Sequence, residues 1–301
     1  MIITQMHYTR FLTVILFLLF SNSVNSKAII DDVQRFNSFY KYALISNAAY
    51  QGPSNVVKSL QGSGYAITKY GKLPGYHVGY YLLTNHNLKK HVIAVRGTSN
   101  VENAMVDIAL KLLPNKYTGI KLHQGFALAS DLIFSELKSS LNRDYQINTT
   151  GHSLGGAVAL ILAMYIDSGG YHIGKVVTFG QPKVTNISGS KRFAHLDVTR
   201  VVMPADMVPL VPPMDAMDLM NADIYWHLGI EIVLQKANTY SQLEGVNSML
   251  RATDFLNETI SERNLQEHYM TRYINSLLQK QVNPQRIPYT NDFNIYEFFG
   301  G

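Results

Sequence analysis

Tyr145-Gln146-Ile147-Asn148-Thr149-Thr150-Gly151-His152-Ser153-Leu154-Gly155-Gly156-Ala157 decides the reading of this chain. It has the form strand, sharp turn, helix, with one serine at the apex of the turn. Tyr145, Ile147 and Thr149 alternate with polar neighbours, as a short strand does. Ala157 to Ile166 is an apolar run free of Gly and Pro, long enough for a buried helix. In G-x-S-x-G the flanking glycines are required because strand and helix approach so closely that a Cβ would collide. The serine hydroxyl is pushed outward, and the Leu154 N–H at the helix start points to where an oxyanion would form.

A serine so placed needs a base and a carboxylate, which in this architecture follow it in the order Ser, Asp or Glu, His. Of the 10 histidines, only His172, His195, His227 and His268 follow Ser153. An acid belongs just past the carboxyl end of another strand, where open α/β sheets build their sites. Thr199 to Met203 is such a strand, and Asp206 leaves its end. Asp197 precedes that strand, at the wrong edge, and Asp167 closes the helix after the elbow. Both read as solvated or capping residues.

Two bases then remain. His227 lies within Ile224 to Leu234, which reads as one strand with Glu231 four residues on, and suits a histidine held in the sheet. His268 lies within Leu265 to Ile274, at the start of what reads as the last helix. A loop-to-helix junction lets an imidazole reach another strand's end, so placement favours His268.

These residues resemble the class 3 lipases. The resemblance rests on Gly151 to Gly156, on Thr178-Phe179-Gly180-Gln181-Pro182-Lys183-Val184, on Arg200-Val201-Val202 followed by Asp206-Met207-Val208-Pro209, and on His268 with Tyr273 five residues on. It runs from about Phe39 to Tyr273. Ala43 to Tyr50 looks like the family's first helix, and Tyr225 to Glu231 like its Y-x-H-x-G-x-E segment, whose histidine is not catalytic.

The resemblance implies an α/β-hydrolase fold, a mostly parallel central sheet with helices on both faces. It implies Ser153, Asp206 and His268 as the catalytic triad. It also implies an oxyanion hole from Leu154 and from Thr98, which ends the buried strand Val92 to Arg96 in a turn similar to the family's R-G-[ST]. His123 in His123-Gln124-Gly125-Phe126 is read as structural. The implied substrate is a lipid ester, a triacylglycerol or related acyl ester, met at a transient membrane or lipid-droplet interface. Phospholipase A activity, acyl transfer to an alcohol, or a catalytically silent interaction protein on the same scaffold are the competing readings, because function lives in the pocket rather than the fold.

Between the Arg-Gly-Thr turn and His123, residues Val101, Ala104, Met105, Ile108 and Leu112 share one helical face, and Pro114 stops the run. In the family this position holds the lid, here expected over 101–113. The sequence departs from the family in lacking a tryptophan near Ala104.

Composition suits one large domain over 27–301: 47% of residues are hydrophobic and 16% charged. Residues 1–26 read as a signal peptide, with Arg10, the apolar core Phe11 to Phe20, and small or short residues at Val24 and Ser26. Export, to the periplasm or the exterior, follows from that. There are no cysteines, which excludes disulfide staples. No H-E-x-x-H or C-x-x-C spacing occurs, so neither a catalytic metal nor another cofactor is expected. The net charge of +5 is a mild basic bias that ordinary surface lysines explain; no nucleic-acid partner is expected.

Overall fold

The computed structural model describes residues 30–75, 78–98, 111–212, 223–251 and 261–290. A first helix, α1, covers 30–51, and a short one, α2, Pro53–Ser59. The strands that follow are β1 (Ala66–Leu73), β2 (Val78–Asn85), β3 (Lys90–Arg96), β4 (Leu112–Pro114) and β5 (Lys121–His123). Then come α3 (Gln124–Leu137), β6 (Gln146–His152), α4 (Leu154–Ser168), β7 (Ile173–Phe179), β8 (Thr185–Asn186), α5 (Ile187–Arg192) and β9 (Asp197–Val202). The last part holds β10 (Tyr225–Trp226), β11 (Ile230–Val233), β12 (Thr239–Leu243), α6 (Gly245–Leu250), α7 (Glu262–Glu267), α8 (Met270–Leu278) and β13 (Gln285–Arg286).

Nine strands form the main sheet in the order β1-β2-β3-β6-β7-β9-β11-β12-β13. From β3 through β6, β7 and β9 to β11 every pairing is parallel. The β1–β2–β3 pairings and β11–β12 are antiparallel. This is the mostly parallel sheet of the α/β-hydrolase fold. Helices cover both faces, and the strands show why. In β7, Val176 packs with the buried side chains of α3 and α4, while its neighbour Val177 faces the opposite cluster of Phe36, Phe39, Met270 and Tyr273 from α1 and α8. Successive strand residues point to opposite faces, so a strand covered on both sides is apolar throughout instead of alternating. The same reason removes the alternation expected in β6, whose last six residues are all buried.

Helix α4 is buried from Gly155 through Ile166, as its apolar run requires. Val158 to Ile166 interlock with Ile93 and Val95 below and Ile133 and Phe134 beside. Burying a Leu or Ile side chain contributes about 1.5–3 kcal/mol relative to leaving it exposed, so this helix anchors the elbow that precedes it.

Three elements differ from the sequence expectation. Residues 99–110, most of the expected lid helix, lie outside the described residues. Its carboxyl end is not helical: Leu112–Pro114 pairs with β5, Leu112 opposite His123, in a second sheet ordered β10-β8-β5-β4. Second, Ile224 to Leu234 is not one strand. It breaks at Gly229, whose φ is +75° and where a Cβ would lie 2.3 Å from Val198 O, so Tyr225–Trp226 pairs with β8 while Ile230–Val233 joins the main sheet. Third, His268 caps the end of α7 and precedes α8, so it sits between two short helices. The expected leader over 1–26 lies outside the described residues.

Candidate active site

Ser153 holds φ +57° and ψ −134°, a conformation that costs an L-residue roughly 1–3 kcal/mol and persists only where its surroundings impose it. Its N–H donates to Phe179 O at 2.9 Å, and its carbonyl accepts the N–H groups of Gly156 and Ala157. The glycines explain how the turn closes. A Cβ on Gly151 would lie 2.3 Å from Gly155 O, and one on Gly155 would lie 2.4 Å from Val95 O and 2.6 Å from Gly97 N. The elbow is therefore wedged against the end of β3, which brings the Gly97-Thr98 turn beside Leu154. The Leu154 N–H heads α4, where the first N–H groups have no intrahelical acceptor. Thr98 and Leu154, the expected oxyanion donors, are thus carried by adjoining backbone segments.

Asp206 and His268 come together as expected. His268 Nδ1 and Asp206 Oδ2 are 2.8 Å apart, and both side chains are fully buried. The carboxylate also accepts from Tyr273 Oη at 2.5 Å and from the Val208 N–H at 2.9 Å. Burial alone raises the Asp206 pKa, but His268, Tyr273 and the Val208 N–H outweigh it and hold the group below its ordinary value. His268 Nε2, the ring nitrogen left over, is buried and has no hydrogen-bond partner among the described residues. The ring meets the elbow from above: its centroid is 4.5 Å from that of His152, and Ser153 itself is 2% exposed.

The other candidates fall elsewhere. His227 donates from Nε2 to Pro209 O at 2.6 Å; burial, then Arg200 and Lys183, push its pKa well below the ordinary imidazole value. It is the structural histidine expected, though it lies in the break before β11 and not within a strand. Asp197 is exposed at the amino end of β9, and Asp167 pairs with His195 at 3.1 Å. His123 caps α3, accepting the Phe126 N–H at 3.4 Å, and stacks on Phe126.

Sequence reasoning missed what holds the acid-bearing loop after β9. Lys183 is buried and donates to Leu210 O and, at 2.8 Å, to Pro212 O. Burial, then Arg200 and Arg251, lower its pKa to about 7. Asn264 donates to Ala205 O at 3.0 Å. Beneath the loop Glu231 accepts from Arg251 Nε at 2.7 Å and from Ser248, with Arg200 Nη2 at 3.5 Å. The signals available were the Glu231 charge inside the apolar strand Ile230–Val233 and the Lys183 charge between Pro182 and Val184.

A cavity of about 410 Å³ bounded by Met203, Pro204, Leu234, Arg263 and Arg272 lies behind this loop and is lined by neither Ser153 nor His268. Among the described residues no group of three or more His, Asp or Glu is arranged to hold a metal ion. The arrangement can activate a serine hydroxyl, orient the imidazole through Asp206, and stabilise an oxyanion by backbone donors.

Residues 92–216 match the family model described as Lipase (class 3). The chain is 30% identical over 149 residues to a secreted mono- and diacylglycerol lipase of Fusarium solani, covering 45% of this chain but 43% of that protein. It is 26% identical over 278 residues to a lipase of Rhizopus niveus, covering 82% of this chain and 67% of that one. The first of these alignments thus spans less than half of the relative's length. Among solved structures, the Lip2 lipase of Yarrowia lipolytica shares the fold with a TM-score of 0.63 at 23% identity, over 83% of this chain and 94% of that one. The mono- and diacylglycerol lipase of Aspergillus oryzae does so with 0.63 at 19% identity, over 79% and 96%.

Proposed function

This chain belongs to the class 3 lipase family, and on that premise we propose that it hydrolyses acylglycerol esters through Ser153, Asp206 and His268. The observation that carries the reading is the pairing of His268. Asp206 takes Nδ1 and so fixes the tautomer, while Nε2 is kept buried and unspent beside the elbow. That nitrogen is the one a serine proton needs.

In the proposed reaction Ser153 Oγ attacks the ester carbonyl and His268 Nε2 takes the hydroxyl proton. The N–H groups of Leu154 and Thr98 hold the oxyanion, each donor contributing about 3 kcal/mol to the transition state. His268 returns the proton to the leaving alkoxide, releasing the partial glyceride. Water, deprotonated by the same nitrogen, then cleaves the acyl-enzyme. Asp206 stays ionised throughout and stabilises the imidazolium.

Acylglycerols are favoured over other esters by the name of the Fusarium relative, a mono- and diacylglycerol lipase. Export accords with the word secreted in the Fusarium relative's name, and the interface of action would be a lipid droplet or membrane. The test is hydrolysis of emulsified tri-, di- and monoacylglycerol, with phosphatidylcholine as the contrast. Release of fatty acid from an acylglycerol by wild type and not by Ser153→Ala is the expected result. Release from phosphatidylcholine alone would move the assignment to the phospholipase relatives.

A further inference from the structure

A chain of hydrogen bonds crosses the elbow beneath the site. Tyr50, near the end of α1, has its hydroxyl 2.9 Å from His152 Nδ1. His152 Nε2 is 2.7 Å from the backbone carbonyl of His268. A carbonyl only accepts, so Nε2 carries the proton and Nδ1 offers a lone pair. The Tyr50 hydroxyl must therefore donate to Nδ1. Its oxygen lies against Gly97, where a Cβ would sit 2.9 Å from it, and the Arg96 guanidinium is 5.8 Å from the Tyr50 ring centroid. The sequence of donors is Tyr50 O–H to His152 and His152 N–H to His268, with Tyr50 packed on the turn at Gly97.

The two ends of this chain matter. Gly97, on which Tyr50 packs, precedes Thr98, which carries one of the two oxyanion N–H groups. His268 is the base. The chain thus ties the oxyanion turn of β3 to the backbone of the catalytic histidine, elements 170 residues apart in sequence that no strand or helix links directly. The imidazole of His152 also packs on that of His268, centroids 4.5 Å apart. Burial, and then the neighbouring His268, push the His152 pKa down to about 3. The ring therefore stays neutral when His268 becomes an imidazolium and does not oppose that charge.

We infer that Tyr50 and His152 are positioning residues that hold the oxyanion turn and the catalytic histidine in register across the elbow. The inference rests on the reading of Ser153, His268 and Thr98 given above. Neither residue touches the reacting atoms in this scheme. Both act through the backbone of groups that do, and loss of register by about 1 Å is enough to cost on the order of 10²-fold in rate.

The test uses the full chain as Tyr50→Phe, His152→Leu, His152→Gln and Ser153→Ala, with p-nitrophenyl butyrate as the soluble substrate. Active sites are counted by stoichiometric release of p-nitrophenol from diethyl p-nitrophenyl phosphate, and kcat is expressed per titrated site. Tyr50→Phe and His152→Leu should lower kcat per site by roughly 10- to 100-fold with KM changed less than about threefold. His152→Gln, whose amide nitrogen can occupy the place of Nε2, should recover at least about half of the lost rate on a logarithmic scale. A role in folding alone would reduce the number of titrated sites and leave kcat per site intact, which would overturn the inference. So would a glutamine variant as slow per site as the leucine one, since packing and not the hydrogen bond would then be at work. If His152→Leu does not fold, Tyr50→Phe and His152→Gln decide the matter on the same terms. Retained activity in Ser153→Ala would instead sink the underlying triad reading, and is read separately.

Discussion

Gly180 lies directly against His268: a Cβ on this glycine would sit 2.8 Å from the imidazole Cε1. The same Cβ would be 2.9 Å from Asp206 Oδ2, and Gly180 has φ +55°. Its N–H is spent on Val201 O at 3.0 Å, so the backbone cannot retreat without breaking the sheet edge. Absence of a side chain is what lets the acid and base close on each other here. Gly180→Ala should therefore lower kcat on a soluble ester by about 10²-fold or more while the melting midpoint falls only modestly. A variant with wild-type kcat would show that the imidazole is free to move aside.

Ser153→Ala should lower kcat on p-nitrophenyl butyrate by roughly 10⁴-fold or more, because the nucleophile, base and acid act as a unit. Stability should not fall with it, since φ +57° at this position is imposed by the turn and not by the hydroxyl. Steady-state turnover above a tenth of wild type would refute the assignment.

The elbow was legible in the sequence because its requirement is local: Gly151 and Gly155, four residues apart, meet only if the backbone folds back on itself. The pairing of Asp206 with His268 was legible for a different reason. Chain order and strand ends leave few aspartates and histidines that can reach the serine. What packing decides was not legible. The apolar face of 101–113 suggested a helix through Leu113, yet pairing with β5 draws Leu112–Pro114 into a strand. Likewise nothing in the one-dimensional pattern shows that Tyr50, His152 and His268 share one hydrogen-bonded chain, or that Lys183 holds the carbonyls beyond Asp206. Contacts between distant segments leave no periodicity to read.

Glu231→Gln should destabilise the fold by about 3–5 kcal/mol, because Arg200 and Arg251 would be left buried without a compensating charge. Both guanidinium groups and the carboxylate are essentially inaccessible to water. Denaturant unfolding monitored at neutral pH measures this. A loss below about 1 kcal/mol would mean that water enters the cluster.

Acid should act through the same carboxylates. Burial raises the Asp206 and Glu231 pKa values, but their partners outweigh it: His268 and Tyr273 for the first, Arg251 and Arg200 for the second. Both stay below the ordinary 3.8 and 4.5. A group depressed in the folded state contributes stability that is present above its unfolded value and lost as pH falls through the folded one. Unfolding free energy should therefore hold steady down to the ordinary carboxylate range and drop steeply below it, with a shallower drop in Glu231→Gln. Equal slopes in the two proteins would remove Glu231 from the account.

His268→Ala and His227→Ala should separate cleanly, although both histidines are buried and both bear a single short hydrogen bond to the acid-bearing region. His268 binds the Asp206 carboxylate itself and keeps a second nitrogen unspent. His227 binds the Pro209 carbonyl, which anchors the segment after Asp206 without touching the carboxylate. Removing the first deletes the base and should cost as much rate per folded molecule as Ser153→Ala; stability should fall too, because the buried Asp206 loses its main partner. Removing the second leaves Pro209 O without its donor and should cost roughly 1–3 kcal/mol of stability. Its kcat per titrated site, measured where the variant is folded, should stay within about tenfold of wild type, since Lys183 and Tyr273 still hold the loop. A folded, inactive His227→Ala beside an active His268→Ala would reverse the assignment of the base and, with it, the role given to Asp206.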